Sequence, residues 1–348
     1  MVRLVDVAKR CGVSVATVSK ALSDKKDIGE ETKEKIRKVC EEMGYFPNSS
    51  ARTLKIKRSY NLGVLFVAED DSGLTHDYFS HVLESFRMEA EASGYDITFI
   101  YSGQSPDGES LNAPVALRSM SYLERAEYRG VDGVLVACAN YYQPEVMELI
   151  SSNLPVVTID HSFDHCSSVV SDNVRGMSDL IEFIYDRGHR KIAFIYGNNT
   201  SVTQNRIASY YRSLEERGID PPDQYVRSAV YRNPKPSYDI TLELLDLKNS
   251  PTCIIYPDDY ACIGGLNAIK ERGYRIPEDI SVAGYDGVYI SQILEPRLTT
   301  LRQNTEEIGR KAARKLISQV ENPKTAIIEK IIVPGRLLEG GSVGILRS

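Results

Sequence analysis

The sequence predicts a small all-α head joined to an α/β body of two parallel-sheet subdomains. Three observations lead there. The first 45 residues carry apolar positions at helical spacing only. From Asn61 onward, short β-rich runs alternate with amphipathic helical stretches. The charge also reverses: residues 1–60 hold 14 Lys and Arg against 8 Asp and Glu, while the remainder holds 28 against 40. A basic head on an acidic body suits a nucleic-acid-binding domain attached to something else.

Three short helices account for the head. Leu4, Val7, Ala8 and Cys11 fall at i, i+3, i+4 and i+7. Gly12 supplies the left-handed geometry that ends such a helix. Ser14 is placed to cap a second helix, with Val15, Val18 and Leu22 as its apolar side. A third helix starts near Glu30, buries Ile36, Val39, Cys40 and Met43, and stops at Gly44. In the following "YFPNSSARTLKIKRS", Pro47 breaks the chain and Asn48 starts a helix of about two turns, too short to be stable alone in water. The bland alternative is a plain linker.

The body runs "NLGVLFVA", "YDITFIY", "VDGVLVA", "LPVVTID", "SVVSDN", "RKIAFIYG", "PTCIIYP" and "ISVAGYD" exceed one comfortable sheet, hence two subdomains. In open α/β folds, ligands sit in a crevice at the carboxyl ends of the strands. Polar residues directly after these runs are therefore site candidates.

The spacing Ala8, Gly12, Val18 is that of a helix-turn-helix, whose second helix reads the major groove with its N-terminal residues. Ala16, Ser19 and Lys20 share the exposed face, with Thr17 beside them. Lys20 suits guanine acceptors or a phosphate, and the hydroxyls suit phosphates. The alternative is two amphipathic helices that merely pack together.

"DVAKRCGVSVATVSKAL" and "GYFPNSSARTL" resemble the N-terminal region of LacI/GalR family bacterial transcription regulators. The resemblance implies base reading by Val15, Ala16 and Lys20, and phosphate contacts from Ser14, Thr17, Ser19 and Asn48. It makes residues 48–56 a hinge helix, with Ala51 where two such helices meet and Leu54 wedged into the minor groove. An apolar wedge unstacks a base step and bends the duplex. Many family members carry Arg where this chain has Lys20.

The likeness continues through "VVSDNVRG", "GHRKIAFIYG", "PDDYACIGGLNAIKERGYRIPEDISVAGYD" and "PRLTTLRQN" to about residue 343. It implies a periplasmic-binding-protein-like body. The expected domains are a helix-turn-helix head (1–46), a hinge helix and linker (47–59), an effector-binding and dimerisation core (60–343) and a tail (344–348). Within the core, the N-subdomain is expected at about 60–161 and 305–332, and the C-subdomain at about 164–290 and 333–343. Chain crossings are expected near 161–164, 287–291 and 303–306.

Arg206 and Asp286 are implied effector contacts, joined by Asp160 and Asp258, which follow strand-like runs. Each Asp could instead cap a helix. The family usually has Asn where Asp258 stands. Its shorter loop D-x-x-N-P-F-F is here "VAEDDSGLTHDYFSHVLESF", with Tyr78 and Phe79 at the aromatic positions. Tyr78 is the expected ring against a sugar face. Asp70, Asp71 and Asp77 add negative charge at the cleft mouth, with Asp70 and Asp71 better read as a solvated acidic loop; an acidic mouth mildly disfavours a phosphorylated effector. "TIDHSFDHC" fits no standard zinc spacing and reads as a hydrated loop.

The resulting expectation is a ligand-responsive transcription regulator, a repressor of carbohydrate-utilisation genes. It would bind a pseudo-palindromic operator as a homodimer, with a sugar-type effector in the interlobe cleft. A nucleobase effector and a protein co-regulator are alternatives, as is a sugar-binding protein or enzyme without a regulatory role. No nucleophile–base pairing supports an enzyme, and "GGLNAIK" lacks P-loop spacing. No cofactor is expected. The six cysteines are scattered and read as free thiols. The opening "MVRLVDVAKR" lacks a signal-peptide core and no apolar run reaches membrane length. A cytoplasmic protein without membrane partners is therefore expected. "EGGSVGILRS" has no leucine-heptad tail to build a tetramer.

Overall fold

The computed structural model describes residues 2–45, 58–67, 73–101 and 120–346, and the chain divides into two units, 1–59 and 60–348. In the first unit, α1 (Leu4–Cys11), α2 (Val15–Leu22) and α3 (Glu30–Met43) enclose a core of Val7, Ala8, Cys11, Val18, Ala21, Ile36 and Cys40. Gly12 ends α1 with φ 70°, a conformation that L side chains rarely adopt, and turns the chain tightly into α2.

One apolar expectation is corrected here. Val15 is 39% exposed, and the inward stripe of α2 is Val18 and Ala21, with Leu22 partly buried. Helical side chains lean toward the N-terminus. Val15 opens α2, so it leans past the helix end rather than onto the core.

The second unit begins β1 (Asn61–Phe66), α4 (Asp77–Ala92), β2 (Asp96–Ile100), α5 (Tyr122–Arg129), β3 (Gly133–Ala137), α6 (Pro144–Ile150), β4 (Val156–Ile159) and β5 (Ser167–Ser171). It continues through α7 (Asn173–Asp186), β6 (Ile192–Tyr196), α8 (Ser201–Glu215), β7 (Val226–Ser228), α9 (Pro234–Leu245) and β8 (Cys253–Ile255). Last come α10 (Asp259–Glu271), β9 (Ser281–Asp286), α11 (Tyr289–Ile293), β10 (Thr299–Arg302), α12 (Thr305–Glu321), β11 (Lys330–Val333) and β12 (Arg336–Leu338).

Two six-stranded sheets result. The first has the order β11-β5-β4-β3-β1-β2, all parallel. The second, β12-β10-β9-β8-β6-β7, is parallel except for β12, which runs against β10. Strands β3, β4, β5 and β8 are buried along their whole length, as sheets covered on both faces require. Gly176 in α7 lets that helix lie close on the second sheet, since a Cβ there would collide with Leu301 and the Tyr285 hydroxyl.

The expected crossings need revision. β5 pairs with β4 from Val157↔Ser167, so 160–166 is a loop within the first lobe and not a crossing at 161–164. The chain leaves the first sheet after Ser171. Residues 287–291 stay in the second lobe, where α11 packs against α10. The chain does cross at 303–304, between β10 of the second sheet and α12, which packs on α4 and β3–β5. The last crossing is at 334–335, between β11 and β12. A short run such as "SSVVS" does not reveal which sheet it joins. Residues 344–346 are also no loose tail: the Leu346 N–H donates to the Arg187 carbonyl at 2.8 Å.

All six cysteines are free thiols. Among the described residues, no helix is long and apolar enough to cross a membrane.

Candidate functional site

In the head, the Ser14 Oγ accepts the Thr17 N–H at 3.0 Å and lies 2.9 Å from the Thr17 hydroxyl, capping α2. Ser14, Val15, Ala16 and Lys20 are exposed, while Thr17 and Ser19 are half-buried. With Val18 and Ala21 turned inward, these six residues form the outward face and first turn of α2. Lys20 is not free on that face, because its Nζ lies 2.5 Å from Asp27 Oδ2. Asn48, Ala51 and Leu54 lie outside the described residues, as do Asp70 and Asp71.

In the body, a cavity of about 620 Å³ lies at the carboxyl ends of strands from both sheets. Tyr78, Asp160, Arg206, Asp258 and Asp286 all line it. Residues scattered over more than 200 positions of sequence are thus brought to one site. Its backbone is unusual as well. Of the non-glycine residues with positive φ, Cys138 (51°), Asp160 (62°), Arg232 (59°) and Asp286 (96°) line this cavity. Left-handed backbone costs about 1–2 kcal/mol per residue, and such residues cluster at functional sites.

Arg206 forms the floor. It is 3% exposed, its Nε donates to Asn173 Oδ1 at 2.8 Å and its Nη1 to the Pro257 carbonyl at 2.9 Å. Its guanidinium lies 3.5 Å from the Tyr285 ring centroid and 3.8 Å from Asp286 Oδ1. Burial works against the Arg206 charge, but Tyr231, Tyr285 and the carboxylates Asp286 and Asp160 outweigh it and raise its pKa. Burial likewise raises the Asp286 carboxyl, opposed by Arg206 and by Gln303, whose Nε2 donates at 2.6 Å.

The other two carboxylates differ sharply. Asp258 caps α10: Oδ1 accepts the Ala261 N–H and Oδ2 the Arg232 N–H, each at 2.8 Å. The capping alternative therefore describes Asp258. Asp160 caps nothing. Its Oδ1 and the buried Tyr78 hydroxyl each lack a well-formed hydrogen bond, although the two lie close enough for Tyr78 to lower the Asp160 carboxyl. Burial pushes both carboxyls up to about 6; at Asp160, Tyr78 and Arg206 pull the other way. A carboxylate and a hydroxyl so imperfectly satisfied at a cavity wall are what a polar ligand would complete.

The expectation for Tyr78 changes accordingly. Its ring is 4% exposed and packed in the first lobe's core, so its hydroxyl rather than its face is on offer. The open ring is Tyr142, which is 78% exposed. Tyr142, Tyr141 and Tyr231 were missed in the sequence, although "CANYYQ" and "SAVYRN" each follow a strand. For Tyr141 and Tyr142 the signal was the one that selected the aspartates, whereas the three-residue β7 before Tyr231 is too short to stand out as a run.

The lobes touch beside the cavity. His161 Nδ1 lies 3.1 Å from Ser201 Oγ, which donates to the Asp160 carbonyl at 3.1 Å. His161 also stacks on Tyr141 at 4.8 Å, and burial lowers its pKa. The Tyr260 hydroxyl donates to Asp77, which ties α10 to the start of α4.

A helix-turn-helix head and a two-lobed body with a polar cleft define a DNA-binding regulator that responds to a ligand. Residues 3–48 match the model for bacterial regulatory proteins of the lacI family, and residues 181–343 match the periplasmic binding protein-like domain. The chain thus carries a lacI-family DNA-binding domain joined to a periplasmic-binding-protein-like domain, and the proteins it resembles are LacI-family repressors. It is 28% identical to the HTH-type transcriptional repressor PurR of Mannheimia succiniciproducens, over 92% of each chain. It is 29% identical to the probable HTH-type transcriptional repressor ExuR of Bacillus subtilis, over 95% of each.

Two solved structures share the fold. The Lac repressor dimer bound to operator and the anti-inducer ONPF matches with TM-score 0.79 and 23% identity, over 99% of each chain. The transcriptional regulator CelR in complex with cellobiose matches with TM-score 0.70 and 22% identity, over 98% of this chain and all of that one.

Proposed function

We propose that this protein is a homodimeric repressor. Paired α2 helices read a pseudo-palindromic operator, and a sugar-type effector in the interlobe cleft changes operator affinity. The observation that carries the ligand reading is Asp160, a half-buried residue on left-handed backbone whose buried Oδ1 has no well-formed hydrogen bond at the cavity wall. Beside it stand the Tyr78 hydroxyl and the Arg206 guanidinium. Carboxylates accept from sugar hydroxyls, Arg donates in a fork, and Tyr142 offers an open ring to an apolar sugar face. The repressor reading draws support from relatives named as transcriptional repressors, and dimeric operator binding from the Lac repressor complex.

In this reading Ser14, Thr17, Ser19 and Asn48 hold phosphates, while Val15, Ala16 and Lys20 face base edges. Ala51 lies where two hinge helices meet, and Leu54 wedges into the minor groove. The effector acts by favouring one lobe arrangement, and linkage requires operator and effector to alter each other's affinity equally.

A thermal-shift panel of mono-, di- and oligosaccharides plus purines, repeated with duplex DNA, tests the reading. At least one saccharide should raise the melting temperature and change DNA affinity. A purine as the sole stabiliser would replace the sugar, and no stabiliser would remove the small-molecule sensor.

A further inference from the structure

Asp27 lies in the turn 23–29 between α2 and α3, and its carboxylate is held by Lys20. Nζ and Oδ2 are 2.5 Å apart, and the two side chains are 51% and 53% exposed. The backbone sets this pairing: the Lys25 N–H donates to the Lys20 carbonyl at 3.0 Å, and the Ile28 N–H to the Lys25 carbonyl at 3.3 Å. The turn's other acid, Asp24, faces the opposite way, 2.9 Å from Lys33 and 3.2 Å from Arg37 of α3. Asp24 thus ties the turn to the helix behind it. Among the described residues, the ion pair of Asp27 is with the lysine on the outward face of α2, and Lys25 of the same turn adds only a weaker charge.

We propose that Asp27 is a specificity-determining residue of the DNA-reading surface, resting on the reading role of α2 set out above. A lysine is a compact charge on a flexible stem and pairs with any phosphate in reach. Beside Asp27 its charge is cancelled, so Lys20 brings no net attraction to the backbone, and the carboxylate repels nearby phosphates. At a G·C pair the same two side chains gain: Lys20 donates to guanine O6 or N7, and a carboxylate oxygen accepts from cytosine N4. Val15 and Ala16 carry no hydrogen-bonding code, so the Lys20–Asp27 pair supplies the polar readout of this face. The pair weakens binding to DNA at large and leaves the right base pair favoured.

The test uses the full chain and its Asp27→Asn, Asp27→Glu and Lys20→Ala variants. All are selected on a randomised duplex pool that is then sequenced, and titrated with one random-sequence duplex between 50 and 200 mM salt. Asp27→Asn should bind the random duplex about three- to tenfold more tightly. Its log K against log salt slope should steepen by about 0.9, one added phosphate contact. Its selected sequences should lose one G·C preference per half-site, as should those of Lys20→Ala, while Asp27→Glu keeps the wild-type slope. An unchanged slope with identical selected sequences in Asp27→Asn overturns the proposal and leaves DNA binding intact. A wild-type chain that enriches no sequence overturns both.

Discussion

The Arg206 guanidinium sits over the Tyr285 ring, 3.5 Å from its centroid and 3.8 Å from Asp286 Oδ1, with two further acceptors, Asn173 and Pro257, fixing its Nε and Nη1. A planar fork is needed to stack and reach those acceptors together, and lysine has none. Arg206→Ala leaves two buried acceptors without a partner and the half-buried Asp286 with Gln303 alone, which should cost about 3 kcal/mol in urea denaturation. Arg206→Lys should lose about 2 kcal/mol and still fail to bind the effector. Wild-type effector affinity in Arg206→Lys would exclude the fork from recognition.

The two carboxylates at Asp160 and Asp258 should separate in mutagenesis. Asp258→Ala removes the α10 cap and the acceptor of the Arg232 N–H, so stability should fall by about 1–3 kcal/mol. Asp160→Asn breaks no cap. It should leave the fold at least as stable while weakening effector binding tenfold to a hundredfold, the scale of a hydrogen bond to a charged group. Denaturation and calorimetric titration of both variants would show the contrast. Equal losses in both measurements would contradict it.

The pH dependence of Asp160 follows from its burial. Its carboxyl titrates at about 6 in the folded chain, against 3.8 for the ordinary group. The folded state therefore binds the extra proton between those values. Above pH 6 the buried charge works against the fold, and the cost is relieved as pH falls toward 4. Asp160→Asn should be more stable than wild type at pH 7, by about 3 kcal/mol at most. That advantage should shrink through pH 6 and be gone near pH 4. A pH-independent difference between the two proteins would contradict the assignment.

At the head, Ser14→Ala should cost about 1 kcal/mol of helix stability, and Ser14→Gly only a few tenths. Both should weaken DNA binding if the hydroxyl also serves a phosphate. Thermal unfolding and anisotropy titrations on one selected duplex separate the two effects.

Leu54→Ala tests the wedge. A residue that acts only by unstacking a base step should matter at the operator and little elsewhere. Specific binding should fall far more than binding to a random duplex. Equal loss on both would refute the role.

The head was legible almost to the residue, because a three-helix core of short helices leaves few choices. Gly12, Ser14 and Gly44 punctuate it, and α1, α2 and α3 begin and end where they direct. Val15 was misread because an apolar stripe does not say which first-turn residue overhangs the core. In the body, the alternation of runs gave two parallel sheets but not the membership of β5, which is a pairing decision between distant segments. The five cleft residues were found through strand ends and family likeness, and they do meet. Which aspartate was a cap and which had an oxygen without a well-formed hydrogen bond was invisible, since that depends on backbone N–H groups brought in by folding. The same holds for Tyr78. An aromatic position in a loop does not reveal whether its ring or its hydroxyl reaches the cavity.

The central claim, a DNA reader coupled to a sugar-sensing cleft, is tested most directly by one titration. Full-length protein is titrated onto a duplex selected from a randomised pool, with and without the saccharide that most stabilises it, in wild type and in Asp160→Asn. The account predicts that the saccharide shifts wild-type duplex affinity at least fivefold, a normal scale for coupling between sites. It also predicts that Asp160→Asn binds the duplex normally and loses the shift. Tight duplex binding that no saccharide alters, or a shift of full size in Asp160→Asn, would contradict it.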